Sequence, residues 1–386
     1  MKRSLYEPEH DAYRARVREF LEAEVVPRHA AWEAEGVVGR ELYTGLGALG
    51  ALGHGIPAEY GGTGIHDFRY NAILIEEGAR AGVSDGLVGP GLTIDIIAPY
   101  IVSMGTDEQK ARWLPGVVTG DVVLSIAMTE PGTGSDLAGI QTSAVRDGDE
   151  WVVNGTKKFI GNGMNSDLLI VAVRTGEDRH RGLSLLLIPS DSPGFERVRN
   201  LSKLGLPAHN TTELAFHDVR VPVANLLGAE GEGFLGLTRN LAQERVTASI
   251  MAISAAAAAL ELTIAYVRER QAFGAAIGSF QNTRFKVAEM STEIDIAQVF
   301  VDRCVLALNE GDLTPVDAAK AKWWTTELRG RVVDTALQLH GGIGYLTETP
   351  IARAWLDARA DRIFAGSTEI MKDLIGKSMK LDRPAQ

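Results

Sequence analysis

The sequence predicts an α+β fold in three successive parts: helical, then antiparallel β, then helical again. Two observations carry this reading. Apolar residues recur at helical spacing up to about residue 120 and again after about residue 233. Between them the chain breaks into short strand-like runs punctuated by Asp-Gly and Asn-Gly. At 386 residues the chain also exceeds what one simple core supports. The expected units are a helical domain over 1–120, a β domain over 121–232 and a helical domain over 233–386.

The first helix is expected in "EHDAYRARVREFLEAEVVPRH", ending at Pro27. "RELYTGLGALG" spaces Leu42, Leu46 and Leu49 along one helix face. "DFRYNAILIEEGARAG" reads as another helix, and "TDEQKARWLPGVVTG" opens on a cap-like Thr106. The strands are expected in "VVLSIAMTE", "TSAVRDGDEWVVNGTKKFIG", "LLIVAVRT", "GLSLLLIP" and "TELAFHDVRVP". Asp147-Gly148 and Asn154-Gly155 are the hairpin turn signals among them. After the glycines of "GAEGEGFLG" the helical period returns.

Composition narrows the function. A formal net charge of -11 argues against a nucleic-acid partner, which needs clustered Lys and Arg, and equally against an anionic membrane surface. Cys304 is the one cysteine, so no intrachain disulfide forms, and a reducing compartment is expected. The start of the chain lacks the apolar run of a secretory signal. The longest uncharged apolar run, Val246 to Leu260, reads as a buried helix too short to span a bilayer. The expected location is the cytoplasm.

Gly45 to Gly50, "GLGALG", matches the dinucleotide pattern G-x-G-x-x-G. That motif needs a strand before it and a helix after it, whereas here it lies within a helical pattern. The histidines show no paired metal spacing, no metal is expected, and no nucleophile elbow or P-loop occurs. "AMTEPGTGSDLAG" differs because it follows a strand. Gly132 and Gly134 let backbone amides approach a ligand, while Thr129 and Ser135 add hydroxyls. Taken alone, it reads more simply as a turn. "QLHGGIGYLTETPIARAWLD" repeats the theme, with Gly341, Gly342 and Gly344 ending a helix. Taken alone, that is a helix–helix corner. Glu244 is the odd residue of "LAQERVTASIMAISAAAAAL". Its neighbours at three and four residues, Asn240, Leu241, Thr247 and Ala248, offer no ion pair.

These segments together resemble the acyl-CoA dehydrogenase family, and within it the long-chain and isovaleryl branch. The likeness covers essentially the whole chain. "AMTEPGTGSD" is similar to the first family signature, with Thr133 where a smaller residue is usual. "QLHGGIGY", continued through Glu348, Arg353 and Asp357, is similar to the second. "RERQAFG" and "IFAGSTEI" are further landmarks.

The resemblance implies an N-terminal helical domain, a middle antiparallel β domain and a C-terminal four-helix bundle. It also implies FAD held between the β domain and the bundle. Met128, Thr129 and Ser135 would line the flavin, with Phe159, Ile160 and Gly161 on another side. Ser367 and Glu369 would reach the cofactor from the last motif. Arg270, Phe273, Gln281, Gln338, Gly341 and Gly342 would hold its adenine and pyrophosphate end. In the family these act largely across a subunit boundary, which implies a homo-oligomer, a dimer of dimers. Ser135, Leu235, Arg245, Ala365 and Gly366 are expected to meet the acyl-CoA substrate. Two positions depart from the pattern. Gly161 stands where a Thr or Ser hydroxyl commonly meets the flavin, so that bond must come from backbone or water. Ile126 replaces a frequent aromatic.

Many family members carry the catalytic base in the last motif, where this chain has Ala365. In the long-chain and isovaleryl branch the base sits on a helix just before an arginine, matching Glu244-Arg245. Removing a proton beside a thioester needs a carboxylate whose basicity is raised by a dry wall, and an unpaired Glu among alanines suits that role. The expected activity is FAD-dependent α,β-dehydrogenation of an acyl-CoA to the trans-2-enoyl-CoA, a step of fatty acid β-oxidation. Electrons would pass to an electron-transferring flavoprotein. The rival readings are a flavin monooxygenase or oxidase of the same superfamily, and a non-catalytic assembly protein with the same fold. Flavin bleaching by acyl-CoA separates the first rival, and a yellow purified protein the second.

Overall fold

The computed structural model describes residues 3–381. Helix α1 (Pro8–Phe20) runs through a widened π-turn, Leu21–Val25, into α2 (Val26–Glu35). Pro27 therefore does not end the helix, as the sequence suggests, but stands in the first turn of α2. Proline has no N–H to give and crowds the carbonyl of the turn before it. The π-turn, closed by Val26 N–H to Leu21 O, lies immediately ahead and relieves that conflict.

The rest of the first layer is α3 (Arg40–Leu49), α4 (Arg69–Ala81), α5 (Ser84–Gly91), a second π-turn at Leu92–Ile97, α6 (Ala98–Met104) and α7 (Asp107–Thr119). The glycines of "GLGALG" lie within α3 and at its left-handed end, Gly50 (φ 82°). Gly47 is there for packing: a Cβ on it would lie 2.3 Å from Thr119 O. Thr106 caps α7 as expected, accepting from Gln109 N at 3.2 Å while Gln109 Oε1 accepts from Thr106 N at 3.1 Å.

The strands are β1 (Leu124–Ala127), β2 (Ser143–Asp147), β3 (Glu150–Gly161), β4 (Leu168–Arg174), β5 (Leu183–Pro189), β6 (Phe195–Asn200), β7 (Thr211–Pro222) and β8 (Leu226–Leu227). They form one sheet in the order β6-β7-β3-β2-β4-β5-β8, with β1 paired to β4. Most pairings are antiparallel, but β1 and β2 both run parallel to β4, Leu124 opposite Leu168 through Ala127 opposite Val171, and Ser143 opposite Arg174. The sheet is therefore mixed at this point. β4 and β5 are buried on both faces, which explains their unbroken apolar runs.

Asp147-Gly148 does make the β2–β3 hairpin, with Gly148 at φ 62°. Asn154-Gly155 does not make a turn. It lies inside β3 at a register shift against β7. A Cβ on Gly155 would come within 2.5 Å of Thr142 Oγ1, so glycine is needed for close approach. Asn154 pairs with Asp218 across the irregularity, through Nδ2 to Oδ1 at 2.9 Å.

The last layer holds α8 (Gly233–Arg239), α9 (Leu241–Glu269), a small hairpin of β9 (Gln271–Ala272) and β10 (Ala275–Ala276), α10 (Gln281–Glu310), α11 (Pro315–His340), α12 (Pro350–Asp361) and α13 (Thr368–Ser378). Helices α9 to α12 pack on one another as the four-helix bundle, and α4 joins α9 from the first layer. Val246, Ile250, Ile253 and Ala256 of α9 share a core with Val301, Leu328 and Val332. The alanines of α9 lie in a helix of 29 residues, longer than the apolar run alone indicates. By length and composition this helix and Ser84–Met104 are each able to cross a bilayer. Here α9 is instead enclosed by protein helices on several sides.

Candidate active site

Glu244 sits in the first turn of α9, just past Asn240, where α8 ends. Only 5% of its surface is exposed. It is not unpaired, as its sequence neighbours suggest: the Tyr100 hydroxyl, from α6, donates to Glu244 Oε1 at 2.8 Å. Burial pushes the carboxyl up to about 7, against the opposing pull of the Tyr100 hydrogen bond and the Arg245 charge. A buried carboxylate poised near neutrality is a proton acceptor suited to general-base work. Tyr100 escaped the sequence reading because it lies 144 residues away. The turn between Gly91 and Ala98 aims it.

Arg245 is also buried, and its Nε finds no hydrogen-bond partner among the described residues. Leu92, Ile96, Ile126, Met128 and Phe234 are partly buried and pack on the core that holds Tyr100 and Leu237. Ile126 thus belongs to an apolar wall. Leu235 of α8 is exposed.

Ala365 and Gly366 form a strained corner before α13, with φ 52° and 86°. Lys322 of α11 is fully buried and donates from Nζ to Gly366 O at 2.6 Å. Burial lowers its ammonium to about 8, and Arg245 is one of the charges acting on it. The start of α9 and the 365–366 corner therefore share one buried ammonium as a neighbour. Sequence reading missed this lysine, because nothing local separates it from a surface lysine of an amphipathic helix. Ser367 is the N-cap position of α13, and Glu369 lies exposed in its first turn.

In the β domain, Lys157 is the organising residue. Its Nζ donates to Met128 O at 3.0 Å and to Glu130 Oε1 at 2.8 Å, and the side chain has no exposed surface. Glu130 also accepts from Gln141 N at 2.7 Å and Thr142 N at 2.9 Å. Lys158 N donates to Thr129 O at 2.8 Å. Met128 and Thr129 are thereby held beside Phe159, Ile160 and Gly161. Phe159 has φ 61° and is 61% exposed, while Ile160 is buried. Ser135 is exposed at the loop tip. A side chain at Gly161 would crowd two neighbouring side chains. A Cβ there would lie 2.6 Å from Leu92 Cδ1 and 3.0 Å from His209 Nε2. His209 is held neutral, its pKa lowered to about 3 by burial.

Arg270, Phe273 and Gln281 lie exposed on the β9–β10 hairpin and the start of α10, and Gln338, Gly341 and Gly342 lie exposed at the end of α11. Tyr266 joins the two groups: its ring stacks on His340 at 4.3 Å and its hydroxyl donates to His340 O at 3.1 Å. No hydrogen bond or ion pair links this set to Met128 or Thr129 among the described residues. Two charged residues of the second motif tie distant parts of the chain together. Arg353 pairs with Glu33 at 3.0 Å, and Asp357 accepts from Leu206 N at 2.6 Å.

The glycine corners leave backbone accessible where a cofactor would lie. A Cβ on Gly132, Gly341 or Gly342 would meet nothing within 4 Å, and one on Gly134 would meet only Thr129 Cγ2 at 4.0 Å. These backbones are open to a ligand rather than packed under side chains.

Comparison with known proteins finds the same three-part organisation. Residues 7–121 match the acyl-CoA dehydrogenase N-terminal domain, 125–219 the middle domain and 231–380 the C-terminal domain. The chain is 42% identical to the mitochondrial long-chain specific acyl-CoA dehydrogenase of Sus scrofa, over 99% of this chain and 89% of the relative. It superposes on an acyl-CoA dehydrogenase from Geobacillus kaustophilus with TM-score 0.95 and 45% identity, covering 97% of this chain and 99% of the other. An electron transferring flavoprotein of Acidaminococcus fermentans superposes with TM-score 0.92 and 30% identity, covering 99% and 100%. The chain belongs to the acyl-CoA dehydrogenase family.

Proposed function

We propose that this FAD-dependent acyl-CoA dehydrogenase uses Glu244 as the base that removes the α-proton of the substrate. The observation that carries the reading is the buried carboxylate itself. Glu244 is enclosed, raised toward neutrality and bonded through one oxygen to Tyr100, while the alternative position in the last motif holds Ala365. FAD, when bound, supplies the acceptor for the β-hydride.

The remaining chemistry belongs to the chain. As the α-proton leaves, negative charge grows on the thioester carbonyl, so a donor aimed there lowers the barrier. The Ala365 N–H is the proposed donor, on a corner that Lys322 fixes through Gly366 O. The apolar wall of Leu92, Ile96, Ile126 and Phe234 keeps water from Glu244 and receives the acyl chain. Met128, Thr129, Ser135, Phe159, Ile160 and Gly161 would hold the flavin end of FAD, with Ser367 and Glu369 beside it. Arg270, Phe273, Gln281, Gln338, Gly341 and Gly342 would hold the far end across a dimer boundary. Their exposure in the single chain supports that arrangement, with two dimers pairing into a tetramer. The name of the Sus scrofa relative supports a long acyl substrate, and the Acidaminococcus neighbour's supports an electron-transferring flavoprotein as acceptor. The lone cysteine, buried, supports a cytoplasmic setting.

The test is anaerobic flavin reduction by a series of straight and branched acyl-CoA thioesters. A rate that peaks among the long straight chains bears out the substrate class. Bleaching by none of them removes the dehydrogenase reading.

A further inference from the structure

We infer that the Tyr100 hydroxyl is a two-position donor that keeps Glu244 paired in both protonation states, and so sets the pH at which the base is ready. This rests on Glu244 being the base. Tyr100 Oη lies 2.8 Å from Glu244 Oε1 and 3.1 Å from Leu237 O. A phenol has one hydrogen, so at any instant it donates to one of these acceptors. Both lie within range of the same rotor.

The two positions match the two states of the base. Ionised, Glu244 needs a donor, because a buried carboxylate left without one is costly. Tyr100 then donates to Oε1. When the α C–H bond breaks, its proton forms an O–H bond on Glu244 and the electron pair stays with the substrate. Glu244 now needs an acceptor. The Tyr100 hydrogen turns to Leu237 O, and Tyr100 Oη accepts from the new carboxylic acid. At each end of the step the Glu244 carboxyl group keeps a hydrogen bond to Tyr100.

Tyr100 is fit for this because it does not ionise. Burial, followed by the charge of Glu244, drives its phenol far above the ordinary range. The other groups that bear on Glu244 do not duplicate it. Arg245 on the same helix acts through charge and makes no hydrogen bond to Glu244 among the described residues. Lys322 of α11 faces Arg245 and bonds to Gly366 O. Asp95, in the π-turn before α6, meets α9 one turn on, at Thr247 Oγ1 (3.5 Å), with Asn71 from α4 on its other oxygen at 2.6 Å. Tyr100 is a positioning residue. It acts on the substrate only through Glu244.

The experiment uses purified holoenzyme and two readouts across neutral pH: anaerobic flavin reduction at saturating acyl-CoA, and infrared titration of the Glu244 carboxylic acid band, assigned by its loss in Glu244→Gln. In Tyr100→Phe the acid limb and the band should both move up by about one to two pH units, the shift expected from losing one hydrogen bond to a buried charge. The high-pH plateau should stay within roughly threefold of the parent, since the base itself remains. A stronger donor of similar shape, 3,5-difluorotyrosine at position 100, should move both readouts down, and it decides the matter if Tyr100→Phe does not fold. An unmoved limb and band, or a fall equal at every pH, overturns the inference. If Glu244→Gln reduces flavin at near the parent rate, the base assignment falls instead, and the infrared band still reports whether Tyr100 pairs with Glu244.

Discussion

Two glycine-rich corners face the cofactor side of this chain in the proposed assignment, and they are built in opposite ways. The corner in the β domain is closed by its own side chains. Lys157 and Glu130 are buried together, and between them they bind Met128 O, Gln141 N and Thr142 N. The corner at the end of α11, with the β9–β10 hairpin beside it, displays its large residues. Phe273 is 98% exposed and Tyr345 84%. An aromatic ring carries enough apolar area that exposing two in one region favours a covering surface. The first corner is thus shaped before any ligand arrives, whereas the second has the form of a half-site. Substitutions should divide along this line, with large costs to the chain itself in the first region and small ones in the second.

The largest cost should come from Lys157→Met. It leaves the Glu130 carboxylate buried without its cation, a loss of about 3–5 kcal/mol for a broken buried pair. Thermal unfolding followed by circular dichroism should show a much lower midpoint, and FAD content should fall with it. Adding Glu130→Gln should recover most of the loss, because the stranded charge is gone. A single variant as stable as the parent would mean that the first corner is not self-supporting.

Next comes Glu244→Gln, which keeps the shape and the Tyr100 donor but removes the base. Flavin reduction should fall at least about a hundredfold, close to 2.7 kcal/mol in the barrier. Stability should move the other way. The folded chain holds the Glu244 proton up to about 7, against an ordinary value of 4.5. Its contribution is therefore full below pH 4.5 and is lost as pH rises toward 7. Above pH 7 the variant should melt higher than the parent, and at pH 4.5 no higher. A lower midpoint at high pH would show that the carboxylate is not strained by burial.

The order of helices and strands was legible in the sequence because each depends on local period and local caps, as with Thr106 or the leucines of α3. The misreadings at Asn154-Gly155 and Glu244 share one cause, a distant partner, while that at Pro27 is local. Asn154-Gly155 has the chemistry of a turn, but Thr142 on the neighbouring strand needs the space a side chain at Gly155 would fill. Pro27 has the chemistry of a helix stop, but a π-turn ahead of it relieves the clash. Glu244 could be singled out by its odd surroundings, yet its partner Tyr100 could not, since nothing near Tyr100 in the chain marks it. Lys157, Lys322 and His209 were hidden likewise, because burial of a polar residue is decided by what packs over it.

Gly161→Ser tests how full the first corner is. Serine supplies the hydroxyl that the family resemblance implies at this position, but its Cβ would arrive 2.6 Å from Leu92 Cδ1 and 3.0 Å from His209 Nε2. Overpacking of this size costs about 1–3 kcal/mol. The variant should unfold at lower temperature, and Leu92→Ala in the same chain should return part of the loss, since Leu92 Cδ1 is the nearer clash. A variant as stable as the parent would mean that Leu92 yields freely and the corner is looser than its contacts imply.

The smallest effect, and the one of opposite sign, belongs to Phe273→Asn. Phe273 and Gly274 are the two residues joining β9 to β10, with Ala272 opposite Ala275, and both have positive φ, 51° and 80°. A two-residue hairpin turn of this kind favours Asn-Gly, and a bulky residue in the first place is held at a cost. In the single chain Phe273 recovers little, since it is 98% exposed and the Phe280 ring lies 6.3 Å away between centroids. Asn should therefore leave the fold unharmed or stabilise it by about 0.5–1 kcal/mol, as turn-compatible replacements do. If the hairpin completes a site on a second subunit, the same change should weaken FAD retention and shift the dimer toward monomer at low protein concentration. Thermal unfolding of the apoprotein gives the first quantity, and sedimentation with flavin absorbance gives the second. A variant that is stabilised and still holds FAD and its partner would show that the strained phenylalanine has no function across the boundary. The second corner would then be merely exposed, and the contrast between the two would lose its meaning.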